Sequence, residues 1–280
     1  MNPLNEATKI THKAEKELLR KLQKEYSRAY TNAYKELKDT MSKMPRGKLT
    51  QADMMKYDRL DKLIKNIQVE MKSVGTIQDF QMKTYLKDAY EVNYYHTGYS
   101  VDSTLGIKTG FSAVDRKQVE AMINNPLMKI AIDDNKVQVL QDIQRTLTQS
   151  VVQGEGIQDT AKKLKDRIDV SLSRATRIVR TETTKVMAKA RVDGMERVAK
   201  AGIEIQKEWV ATLDNRTREE HEELDGERVG VDENFSNGSP SPDEVNCRCT
   251  VVTYFPQYSV DKKDTYGYEN YKDWKKQNGI

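Results

Sequence analysis

Cys247 and Cys249 stand one residue apart in V-N-C-R-C, downstream of His221 in the run D-N-R-T-R-E-E-H-E-E-L-D-G that begins at Asp214. They are the only two cysteines, and His221 is one of three histidines. A disulfide between positions i and i+2 needs strained geometry, so thiols or thiolate ligands are expected. Read as a strand, 245–254 is rich in Val and Thr, and its period of two sends both sulfurs to one face, where they can meet one ion. Asp214 lies just before a short helix and His221 lies within it. If that helix packs over the strand, Asp214, His221, Cys247 and Cys249 make a four-coordinate zinc site with no open position, which is a structural site. Its binding energy would then add to folding. Asp225 is a rival donor. The alternative is a pair of buried, reduced cysteines with His221 hydrogen-bonded into a polar network.

Enzymatic chemistry finds less support in the same residues. His221-Glu222-Glu223 followed by cysteines is partly similar to the H-x-E…P-C-x-x-C pattern of zinc deaminases, but the thiols are one residue too close and Val245-Asn246 stands where proline belongs. A cysteine nucleophile paired with His221 is conceivable, yet nothing in the sequence marks an orienting third residue or an oxyanion hole. Arg180 and Glu182, at i and i+2 of a helix, point apart. No catalytic residue and no small-molecule substrate is expected. A cysteine/histidine-dependent or zinc-dependent enzyme stands as the alternative.

The elements that must hold these residues are mostly helices. Leu18, Leu22, Tyr26, Ala29, Ala33, Leu37 and Met41 step by three and four, one helical stripe. Met44-Pro45-Arg46-Gly47 interrupts it. A second helix is expected over 51–73, closed by Gly75, then a tyrosine-rich helix over 77–96 and a loop over 99–110. Further helices are expected over 115–123, 135–152, 157–167 and 172–201, with Asp169, Ser171 or Ser173 as N-caps of the last. The period then changes. Ile203, Ile205, Lys207, Trp209 and Ala211 recur at every second position, as in a strand. A short strand at 228–231 and a proline-bearing loop over 232–244 precede the cysteine strand. The expected fold is mainly α, with an elongated helical N-terminal region and a small C-terminal α+β domain of short antiparallel strands. Four segments follow: a helical extension over 1–100, a helical middle region over 101–202, an α+β head over 203–256 and a polar tail over 257–280. That tail either wraps the head or orders on a partner.

Composition points the same way. Across 280 residues, 37% are hydrophobic and 32% charged, where an average soluble domain has about 45–50% apolar and about 25% charged. Helices with one buried stripe fit that balance, as does burial against partners. No apolar run reaches the roughly 18 residues of a membrane span, and no signal-peptide pattern opens the chain, so assembly in the cytoplasm without a membrane is expected. The net charge of +4 is unevenly spread. Residues 1–50 carry twelve Lys/Arg against six Asp/Glu, and 214–246 carry three Arg against eleven Asp/Glu. A basic arm of this kind can meet double-stranded DNA through its phosphates or dock on an acidic protein surface.

The combination of R-T-E-T at Arg180–Thr183, W-V-A-T-L-D-N-R-T-R-E-E-H-E-E-L-D-G at Trp209–Gly226, a loop bearing Phe235, Pro240 and Pro242, and V-N-C-R-C at Val245–Cys249 resembles the phage Mu protein F-like family of minor head proteins. The likeness is strong over about 174–254 and weaker back to Leu140. It implies a low-copy virion component associated with the portal, acting in head assembly and in the handling of packaged DNA. Implied partners are the portal protein and the major capsid or scaffold protein, with double-stranded DNA as a further candidate. Some relatives are fused to toxin enzymes, and no such domain is expected here because the chain ends about 30 residues after Cys249. A non-specific DNA-binding protein of the virion is the rival reading.

Overall fold

The computed structural model describes residues 3–43, 58–256 and 268–280. The break expected at Met44-Pro45-Arg46-Gly47 lies outside these residues, as does most of the stretch that precedes the second helix. The chain opens with α1, Pro3–Met41. Its stripe is the one read from the sequence: Leu18, Leu22, Tyr26, Ala29, Ala33, Leu37 and Met41 are all buried. Helix α2, Arg59–Leu105, is one helix of 47 residues. It passes through Gly75, expected as a cap, and through 99–105, expected as loop. An interior glycine costs only about 1 kcal/mol, and the buried stripe continues on both sides of Gly75 through Met71, Val74, Gln78 and Met82. At Gly98 the missing side chain serves packing, since a Cβ there would lie 2.6 Å from the Phe111 ring. The helix ends where Gly106 takes a φ of 63°.

After α3, Arg116–Ile123, capped by the Asp115 carboxylate on Lys117 N–H, Pro126 opens α4, Pro126–Gln153. Proline suits a first helical position, where its absent N–H has no partner to lose. Helix α5, Ile157–Ala199, is continuous over 43 residues, where two helices were expected. Two of the three candidate caps are otherwise engaged. Asp169 pairs with Lys165, and Ser171 is buried against the Tyr26 hydroxyl and Asn135. Leu164, Ile168, Ala175 and Val179 carry the stripe across.

The sheet is three-stranded and antiparallel in the order β2-β1-β3, from β1 Gln206–Val210, β2 Arg228–Gly230 and β3 Thr250–Tyr254. Trp209 pairs with Val251 and Lys207 with Val229 and Thr253. A single-turn helix, α6 Glu219–Glu222, lies between β1 and β2. The tail yields α7, Tyr271–Gln277, whose N-terminus is capped by the Asn270 side chain. The fold is therefore mainly helical with a small antiparallel sheet near the C-terminus. No helix among the described residues is long and apolar enough to cross a membrane.

Two compact units are interleaved along the chain. One comprises Met1–Lys16, Lys83–Asn125 and Val179–Ile280, the other Glu17–Met82 and Pro126–Ile178. The second is built on an aliphatic core that includes Ala29, Leu37, Ile67, Ile143, Leu147 and Leu164. The first contains the sheet, α6 and α7, and with them every residue of the candidate site. Composition boundaries near 100, 202 and 256 follow the chain linearly, whereas these units follow contacts.

Candidate metal centre

Cys247 and Cys249 do not lie on a strand. The strand β3 begins at Thr250, and the cysteines occupy the irregular segment before it. Asn246 turns that segment with a φ of 59°, a left-handed conformation that Asn tolerates better than most residues. Two threonines of α5 hold the turn. Asn246 N–H donates to Thr181 Oγ1 at 3.1 Å, and the Thr184 hydroxyl donates to the Cys247 carbonyl at 2.7 Å. The R-T-E-T-T run thus acts as a clamp on the cysteine segment. Both sulfurs still reach one point, because Cys249 N–H folds back on Cys247 Sγ at 3.4 Å.

His221 meets them there from α6. Its ring is buried and packs edge-on to Trp209 at 5.5 Å between centroids. Nδ1 lies 3.5 Å from Cys247 Sγ and 3.6 Å from Cys249 Sγ. A tetrahedral zinc ion with bonds of about 2.3 Å to sulfur and about 2.05 Å to nitrogen would hold S and N about 3.6 Å apart. Both S···N separations match such an ion, and the three donors lie within 4.8 Å of one another. The thiols are also electrostatically linked. A hydrogen bond from Cys247, helped by the Thr212 backbone and His221, lowers the Cys249 thiol to about 5, while Cys247 is driven upward by its hydrogen bond to Cys249 and by burial. The shifts belong to the pair: one proton leaves easily and the second is held.

Asp214 is not in this cluster. Arg248, between the two cysteines, faces outward when they face in, and its guanidinium takes the Asp214 carboxylate in a fork at 2.6 and 2.5 Å. That pair, with Arg216 N–H, holds the Asp214 carboxyl well below the usual carboxylate range. Asp225, the rival donor, instead accepts Ala211 N–H at 2.8 Å where β1 ends. Two acids approach His221, Glu220 and Glu244, the three side chains offering ligand atoms within 4.8 Å of one another; Glu244 Oε1 lies 3.4 Å from Nε2, close but not yet aligned as a hydrogen bond. Arg218 steadies Glu244 at 3.0 Å and donates to the Val245 carbonyl at 2.8 Å. A carboxylate behind a ligating imidazole fixes its tautomer and raises its basicity. In the sequence Glu244 was one acid among eleven in its stretch, with nothing in its spacing to single it out.

Residues 141–252 match the family described as Phage Mu protein F like protein. The span includes the threonine clamp, His221 and both cysteines. Over 259 residues the chain is 28% identical to the minor head protein GP7 of Bacillus phage SPP1, covering 84% of this chain and 82% of that protein. The segment 141–252 is thus a phage Mu protein F-like region, and most of the chain is similar to a phage minor head protein. A second relative, 25% identical over 213 residues, is named NAD(+)--arginine ADP-ribosyltransferase EFV, from Enterococcus faecalis; the alignment takes in 69% of this chain and 44% of that protein. No solved structure matches.

Two buried cations of this Mu F-like chain also escaped the sequence reading. Arg191 of α5 sends five hydrogen bonds to Asn93, Thr250, Val251, Leu4 and Thr8, tying α1, α2 and β3 to α5. Lys207 of β1 is buried over the Phe235 ring and donates to the carbonyls of Val231 and Pro240. The loop bearing Phe235 and Pro240 is thus fastened beneath the sheet that carries Trp209. Arg191 did leave a trace in the sequence, as a charge within the apolar stripe of Ala188, Val192 and Met195.

Proposed function

We propose that this head protein docks on the portal and acts in head assembly, with a zinc ion held by His221, Cys247 and Cys249 as part of the fold that presents it. The observation that carries the reading is the likeness to the SPP1 minor head protein along most of both chains. The zinc component is supported by the agreement between the S···N separations and a tetrahedral ion. The ion would cross-link α6 to the segment leading into β3, and the Lewis acidity it supplies is not required for that role. The reading is non-enzymatic: the relative named as an enzyme shares less than half of its own length with this chain.

Co-expression with the portal protein of the same phage tests the assembly role. A stable complex on size exclusion, retained through a salt wash, is the expected outcome. Separate elution under conditions where each protein is folded would defeat it. A second reading, contact with packaged DNA, is favoured by the solvent-facing cations of α1, among them Lys13, Lys16, Arg20, Lys21, Lys24 and Arg28. Phosphate contacts predict affinity for any duplex that falls steeply with salt. Binding that is absent at low salt would dismiss that contact.

A further inference from the structure

We infer that the metal centre has three protein donors, His221 Nδ1, Cys247 Sγ and Cys249 Sγ, and that its fourth position opens on an arginine-lined cleft and takes an anionic oxygen donor from outside this chain, a carboxylate or a phosphate group. The inference rests on the metal reading above and replaces the closed, four-ligand site suggested by the sequence.

The three donors help to line a cleft of about 110 Å³, several times the roughly 10–15 Å³ needed to admit one water. Its lining includes the three donors together with Arg216, Arg218 and Arg248, and no carboxylate. The nearby acids lie elsewhere: Asp214 on Arg248, Asp225 on the Ala211 N–H, and Glu244 on the far nitrogen of His221 with Glu220 beside it. Four-coordinate zinc with three protein donors takes its fourth from solvent or a ligand.

Charge decides which ligand. A divalent ion and two thiolates sum to zero. Three arginines face the cleft itself, and the acids that balance them, Asp214, Glu220 and Glu244, stand outside its lining. Arg216 is the least committed of them, lying 3.8 Å from Asp214 with 72% of its side chain exposed. A guanidinium and an open metal position together suit an oxygen anion, because guanidinium presents paired donors to carboxylate and phosphate.

The test uses the full chain loaded with cobalt(II), whose visible bands report the donor set. Expected are one metal per chain, thiolate-to-cobalt absorption reduced in Cys247→Ser and abolished when Cys249→Ser is added, and an unchanged spectrum in Asp214→Asn. Acetate and inorganic phosphate are then titrated separately. A saturable shift of the cobalt bands with acetate assigns a carboxylate ligand, and one with phosphate assigns a phosphate. Arg216→Gln should weaken that binding about tenfold, the loss of one charge-assisted hydrogen bond, without loss of metal. Metal lost or respectroscopied in Asp214→Asn would show a closed site and overturn the inference while leaving the metal reading intact. Silence to both anions overturns it as well. A chain that takes up no metal defeats the metal reading itself.

Discussion

Arg191 carries its charge into the protein interior against neutral acceptors only. Burial lowers the guanidinium to about 10, so it remains charged at neutral pH, and its five hydrogen bonds offset the desolvation. Removing it leaves carbonyls and hydroxyls of several elements without a donor. Arg191→Met should therefore cost about 3–5 kcal/mol in urea unfolding. Arg191→Lys should recover little of it, since a compact ammonium cannot span acceptors set around a planar fork. Glu244 acts on a different quantity. If it orients His221 as the geometry indicates, Glu244→Gln lowers metal affinity about 10–100-fold in a chelator competition while leaving the circular dichroism of the apo chain unchanged. An affinity equal to wild type would remove Glu244 from the site.

Among the elements, α5 is placed by what it lacks as much as by what it presents. A Cβ on Gly194 would lie 2.8 Å from Thr97 Cβ and 3.2 Å from the Tyr94 carbonyl, so α5 and α2 touch backbone to side chain there. In an isolated helix Gly→Ala gains about 1 kcal/mol. Here Gly194→Ala should lose about 1–3 kcal/mol, because overpacking outweighs propensity; a raised melting temperature would refute the contact. The tail helix α7 is held chiefly by Trp274, with Tyr271 stacked on His96 at 3.9 Å beside it. Trp274 is fully buried, donates Nε1–H to Asp102 at 2.7 Å and packs beside Phe111 and Tyr99. Trp274→Ala should forfeit about 3 kcal/mol of docking. The readout is rapid proteolytic trimming of the tail with the rest of the chain still resistant; trimming at the wild-type rate would mean that α7 is held by other contacts.

At the scale of the whole molecule, the two compact units are stabilised by different chemistry. One has a mostly aliphatic core along its helices, in which Tyr26 is a buried phenol of raised pKa. The other buries tyrosines: Tyr85, Tyr90, Tyr94 and Tyr271 all have raised pKa values with burial as the first cause, Tyr94 to about 12. Tyr90 is pushed further by its bond to the Asp193 carboxylate. A phenol whose folded value exceeds the unfolded value of about 10 contributes fully below pH 10, and that contribution fades as pH rises towards the folded value. The unit with the sheet should thus lose stability above about pH 10. Tyrosinate absorbance from these rings should rise together with unfolding, later than in a denatured chain. Titration of all tyrosines near pH 10 with the helices intact would contradict the burial.

The amino-acid sequence by itself determined the α1 stripe, the change to a two-residue period at β1, and the gathering of His221, Cys247 and Cys249 as one chemical group. It also carried the likeness to the phage Mu protein F-like family, through R-T-E-T and V-N-C-R-C, because local periodicity and side-chain chemistry are written residue by residue. Helix continuity was not legible in this way. Gly75 read as a helix end and Ser171 as a helix start, and only the buried stripe across them and the partners of Ser171 kept α2 and α5 running. Likewise the sequence could propose Asp214 as a ligand but could not know that Arg248 would face it. Once Asn246 turns the segment and the thiols point inward, the arginine between them must point outward, and an exposed carboxylate in reach becomes its partner. Glu244, Arg191 and Lys207 acquired their roles in the same manner, from neighbours far away along the chain, where the cost of burying a charge makes the three-dimensional partner decisive.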